Sequence, residues 1–136
     1  MKKNLKGYLS WELDLFGSNR RASEAALANY YSQEQARNAL QLALIADVAQ
    51  QFFDQNWIDA EVRKGKASGA ISHPTVPSAH PYILMNFDGR ARDVMTLAHE
   101  MGHGIHQVLA ADKGYLMSDT PLTLAETASV FAEMLA

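Results

Sequence analysis

The stretch Ala98-His99-Glu100-Met101-Gly102-His103-Gly104-Ile105-His106 decides the reading of this chain. It lies inside a predicted helix from Ala91 to Ala111, with Gly114 near its stop. Residues four apart on a helix are displaced by about 40° and one turn, so their side chains stand next to each other. His99 and His103 can therefore hold one metal ion between them. Glu100 is rotated about 100° from His99 and cannot share that position as a ligand. It can sit beside the ion and take a proton from a water bound there.

A catalytic zinc takes three protein ligands and keeps a fourth position for water. The third ligand must come from another element. Thr120-Pro121 opens a last predicted helix, with proline suited to its first turn, and Glu126 on that helix is the best candidate because the connection is short. A His-His-Glu set is the arrangement of hydrolytic zinc peptidases. Glu133, two turns beyond Glu126 on the same face, could support the ligand shell or pair with a nearby histidine. His106 falls on the His99 face, and a second-shell or substrate contact and a hydrogen-bonded core histidine are about equally good readings of it. Gly102 and Gly104 each cost about 1 kcal/mol relative to alanine inside a helix, so a neighbouring helix or a substrate backbone is expected to approach closely there.

Before the motif, Tyr82-Ile83-Leu84-Met85-Asn86-Phe87 reads as a strand, ended by the turn signal Asp88-Gly89. It is apolar on both faces, as in a strand sandwiched within a larger protein. Gly65 to Pro81 contains too much glycine and proline for a helix and reads as loop with short extended pieces. Gly65-Lys66 is not a phosphate loop, since the remaining glycine and hydroxyl positions are missing. Further back, Ser32-Gln33-Glu34-Gln35 reads as a capping box. Ala36, Ala39, Leu40, Ala43, Leu44, Val48 and Phe52 then form an apolar stripe, read as core scaffold, and a shorter helix from Arg21 to Tyr31 precedes it. Residues 1–64 are thus a helical lead-in, and 65–136 carry the loop, the strand and the two zinc-ligand helices.

Composition narrows the alternatives. The 136 residues allow at most one domain, and 48% hydrophobic content argues against disorder. A net charge of −3 with scattered lysines and arginines leaves no footprint for nucleic acid or a membrane surface. There is no cysteine, hence no disulfide, thiolate zinc site or cysteine nucleophile. Met1-Lys2-Lys3 is not followed by an apolar run, because Lys6, Ser10, Glu12 and Asp14 interrupt it, so a soluble cytoplasmic protein is expected.

At these residues the sequence resembles a known family. Ala98 to His106 is similar to the His-Glu-x-Gly-His-x-x-His signature of the oligoendopeptidase F and thimet oligopeptidase family of zinc metallopeptidases. Leu124-Ala125-Glu126-Thr127-Ala128-Ser129-Val130-Phe131-Ala132-Glu133 looks like its third-ligand helix. Gly65 to Ala70 and His80 to Phe87 are similar to the loop and strand before its zinc helix. The resemblance runs from about Phe52 to Ala136, is closest to the bacterial oligoendopeptidase F branch, and is not carried by Trp11 to Tyr31.

The resemblance implies a mainly α fold with a small β element, a partial zincin-like catalytic core of a helical oligopeptidase. It implies Zn2+ at His99, His103 and Glu126, with Glu100 as general base and acid, acting on short peptides. It makes Tyr82–Phe87 the edge onto which substrate backbone is added, with Gly69, Ala70 and Tyr82 near the substrate. Family enzymes are several times longer and supply a histidine and a tyrosine for the oxyanion from beyond the zinc helices. The last helix, Glu126 to Ala136, runs apolar with no stop signal, so a partial catalytic domain is expected over 1–136. The alternative to a working endopeptidase is a truncated zinc-binding fragment without activity of its own.

Overall fold

A computed structural model describes residues 17–136; the readings at Met1–Lys3 and Lys6–Asp14 lie outside them. The chain divides into two units, Met1–Gln41 and Leu42–Ala136. The described part of the first unit is helix from Ser18 onward. This helix, α1, runs from Ser18 to Asp54 without a break. Ser32 therefore sits inside a helix, and the two-helix reading with a capping box at Ser32 is corrected. No glycine or proline lies between Ser18 and Asp54, and alanine, leucine, glutamine and arginine propagate a helix once it is started. The apolar stripe is also shorter as core than its period implied. Leu40 and Leu44 are exposed, and Val48 and Phe52 are the buried residues of α1.

In the second unit, α1 ends in a Schellman motif. Asn56 takes a left-handed φ of 56°. The Trp57 amide donates to the Phe52 carbonyl at 2.9 Å and the Asn56 amide to that of Phe53 at 3.3 Å. The accompanying apolar contact is the Phe52–Trp57 ring pair, edge to face at 5.2 Å between centroids. This turn sends the chain into a three-stranded sheet of β1 (Ile58–Asp59), β2 (Ile71–His73) and β3 (Tyr82–Leu84), in the order β1-β3-β2.

The central position of β3 overturns one expectation. Strand β1 pairs parallel to it, Ile58 opposite Ile83, and β2 pairs antiparallel, Ser72 opposite Ile83. Tyr82–Phe87 is therefore not an edge, and its backbone groups are already shared between two neighbours. Regular strand also stops at Leu84, although the Met85 and Phe87 amides continue to bond the carbonyls of Asp59 and Ala60. Within this chain one face of the strand meets the core: Ile83 and Met85 are buried, whereas Tyr82 on the opposite face is exposed.

Helix α2 (Ala91–Ala111) lies against this sheet, and α3 (Leu122–Glu133) lies against α2. The Asp93 carboxylate reaches back to the amides of Asp88 and Arg90 at 2.9 and 3.0 Å, which satisfies donors at the start of α2. Pro121 is the residue just before α3, not a member of its first turn, and α3 ends at Glu133. The core is Val48, Phe52, Ile83, Met101 and Ile105, with Ile45, Trp57, Leu97 and Val108 packed around it. Phe52 is fully buried, and the loss of such a ring costs about 3–5 kcal/mol. A Cβ at residue 104 would lie 2.6 Å from the tip of that ring, so Gly104 is where α2 takes in Phe52. No helix among the described residues is long and apolar enough to cross a membrane.

Candidate metal centre

The facing surfaces of α2 and α3 bring His99, His103 and Glu126 together. One ligand atom from each lies within 4.8 Å of the others. Glu126 Oε2 is 3.4 Å from His99 Nε2 and 3.8 Å from His103 Nε2. The two imidazoles stand edge to face, 4.9 Å between centroids, as neighbours one turn apart on α2. Such a set is able to hold a metal ion, and all three residues are half-buried, neither sealed off nor on open surface.

Glu133 reaches His99 from the same helix that carries Glu126. Its Oε1 is 2.6 Å from His99 Nδ1. An ionised carboxylate only accepts, so Nδ1 carries the proton and donates it. The lone pair of His99 is then at Nε2, the nitrogen turned toward Glu126.

Glu100 is buried, at 8% exposure, on the neighbouring face of α2. His106 is half-buried, and among the described residues it makes no hydrogen bond to the three-residue group. Gly69 is exposed in the loop before β2, with φ of 96°, and the structure does not bring it into the group. Tyr82 stacks on His73 at 5.5 Å between centroids and is likewise outside the group.

Helix α3 can deliver Glu126 this deeply because of Gly102. A Cβ there would lie 2.5 Å from the Ala128 carbonyl oxygen and 2.7 Å from Ser129 Cα, so the two backbones touch. Ser129 is the residue that sequence reasoning missed. It is fully buried, and its hydroxyl lies 3.0 Å from Glu126 Oε2 and 2.9 Å from the Glu126 carbonyl. The signal was present as Glu-x-x-Ser-x-x-x-Glu from Glu126 to Glu133, because residues i, i+3 and i+7 share one helix face.

The two edge strands of the sheet are β1 and β2. The Ile83 amide donates to the carbonyl of Trp57, just before β1, so the Ser72–Ile83 pair is of the non-hydrogen-bonded kind and the backbone groups of Ser72 point outward. The Ser72 carbonyl accepts from Gln107 Nε2 at 3.2 Å, and the Ser72 hydroxyl donates to Gln107 Oε1 at 2.9 Å. Gln107 is two turns beyond Glu100 on α2, so the metal-bearing helix is tied directly to the sheet edge.

The family model described as peptidase family M3 matches residues 9–136, and the chain belongs to that family. It is 42% identical over 82 residues to the chromosomal oligoendopeptidase F of Lactococcus lactis subsp. cremoris, covering 60% of this chain and 14% of the relative. To the oligoendopeptidase F homolog of Mycoplasma genitalium it is 38% identical over 112 residues, 77% of this chain and 18% of that one. A crystal structure from Chlamydophila abortus superposes with a TM-score of 0.63 at 35% identity, over 67% of this chain and 16% of that chain. The chain thus spans about one seventh of the length of the first of these relatives.

Proposed function

We propose that this chain carries the zinc centre of an oligopeptidase, an endopeptidase that hydrolyses short peptides. The observation that supports it most is the spacing of the three ligand atoms. Four-coordinate zinc with ligands at about 2.0–2.1 Å places them about 3.3 Å apart, near the 3.4 and 3.8 Å separations of Glu126 Oε2 from the two imidazoles. A side-chain set of two neutral imidazoles and one carboxylate suits zinc, and no thiolate is available.

In this reading His99, His103 and Glu126 hold the ion. When bound, zinc supplies Lewis acidity that polarises the scissile carbonyl and brings the pKa of a water to about 7. Glu100 takes the proton of the attacking water and passes it to the leaving amine. Its burial beside the ligands keeps bulk water from competing for that proton. Glu133 fixes the His99 tautomer. A peptide backbone can add as a strand at an edge strand, β1 or β2, and not at β3; addition at β2, into which the exposed loop at Gly69 leads, requires Gln107 to release the outward Ser72 carbonyl.

The test is hydrolysis of a quenched oligopeptide by the zinc-loaded chain and by Glu100→Gln. Loss of turnover by at least 10²-fold with zinc retained is expected from removal of a general base. Equal turnover in the variant would sink the role of Glu100. Stoichiometric zinc with no turnover in the parent chain would leave the metal-binding reading without the activity, consistent with a chain covering about one seventh of its relatives' length.

A further inference from the structure

Glu100 and Ser129 are the two buried polar side chains among the described residues. Ser129 has one proton and two acceptors within reach, the Glu126 carbonyl at 2.9 Å and Glu126 Oε2 at 3.0 Å. A buried helical serine satisfies itself by bonding a carbonyl one turn back, and that requires nothing of the Glu126 side chain. Thr127 does this, reaching the Thr123 carbonyl at 3.1 Å. Ser129 differs because its hydroxyl also meets the oxygen that faces both imidazoles.

We propose that Ser129 is a positioning residue for the metal ligand Glu126, holding Oε2 in its coordinating place before an ion arrives. The inference rests on the zinc reading above. The side chain of Glu126 is 45% exposed, so without a tether it would sample several rotamers in water. Immobilising a glutamate side chain costs rotamer entropy. With the tether, part of that cost falls on folding and not on ion binding. The hydroxyl also draws some charge from Oε2, which weakens the ligand. Loss of an outer-shell partner generally lowers metal affinity by about 10–100-fold, so preorganisation is expected to prevail. Gly102 completes the device, since only a residue without a Cβ lets α2 approach Ser129 this closely. Helix α3 then carries a ligand at 126, the holder of that ligand at 129 and the holder of His99 at 133, all on one face.

The experiment is a double-mutant cycle on the 136-residue chain, with zinc affinity read by competition against a chromophoric chelator. Ser129→Ala is expected to weaken zinc binding by about 10–100-fold in the parent and to have no further effect in Glu126→Ala. Thr127→Ala, which loses only a back-bond to a carbonyl, is expected to leave affinity unchanged. Circular dichroism of the metal-free proteins reports folding, and Ser129→Cys, a weaker donor of similar size, replaces Ser129→Ala in the cycle if the latter does not fold. Unchanged affinity in the serine variants, or an equal loss with and without Glu126, overturns the proposal. A parent chain that takes up no zinc overturns the zinc reading itself, and the role of Ser129 with it.

Discussion

His99 Nδ1 is bonded to Glu133, and its Nε2 lies 3.4 Å from Glu126 Oε2. Removing the Glu133 carboxylate frees the ring to rotate and to change tautomer. Glu133→Ala is therefore expected to lower zinc affinity by about 10–100-fold, and Glu133→Gln by less, because its amide carbonyl still accepts from Nδ1. Isothermal titration with zinc measures both. Asp59 is a contrasting residue, remote from the metal and structural in role. Its carboxylate meets Arg63 through two bonds, one of them 2.7 Å from Nη1, and Lys66 at 3.0 Å. The Arg63 guanidinium first, then the Lys66 ammonium, hold its pKa well below the usual aspartate range. A lowered folded-state pKa means that its contribution is in place above the unfolded value of about 3.9 and is lost as pH falls below it. Asp59→Asn is expected to be less stable at neutral pH and to lose less on acidification, as seen by thermal unfolding at several pH values.

At the scale of elements, what could be read from sequence followed from strong local signals. The bounds of α2 were legible because Asp88-Gly89 and Gly114 frame one uninterrupted amphipathic run. The split of α1 was a misreading of Ser32, whose capping pattern has no force where good helix formers continue on both sides. Strand β1 was not legible, since two residues after a helix carry no periodicity, and missing it made β3 look like an edge. The glycines of α2 were legible as close approaches, but not which partner each met. Gly102 meets the backbone of α3, which cannot give way, whereas Gly104 meets the tip of a ring. Gly102→Ala is expected to displace α3, destabilise the chain by about 1–3 kcal/mol and reduce zinc affinity. Gly104→Ala is expected to cost stability with a smaller effect on zinc. Chemical denaturation alongside chelator competition separates the two.

For the whole molecule, the nearness of His99, His103 and Glu126 was legible because it depends on spacings within two helices joined by a short connection. Which strands form the sheet edges was not, because that depends on strand order, which no local pattern encodes. Apolar side chains such as Leu122, Leu124, Phe131 and Met134 are exposed along α3. The main contact of α3 with the rest of the second unit is to α2. Zinc held as proposed by ligands from both helices would add to that interface. By mass action, free zinc at about 100 times its dissociation constant is expected to stabilise the fold by about 2.7 kcal/mol. Differential scanning calorimetry with zinc and with a chelator measures the shift, and no shift with zinc bound would mean that the unfolded chain holds the ion as tightly as the fold does.

The backbone touch at Gly102 has one more consequence. Because α2 and α3 meet there without a side chain between them, the gap between the helices has a hard stop on closing and none on opening. Compression leaves the spacing of His99, His103 and Glu126 nearly unchanged, while any force that prises the helices apart moves Glu126 and Glu133 away from His99 together, since both ride on α3.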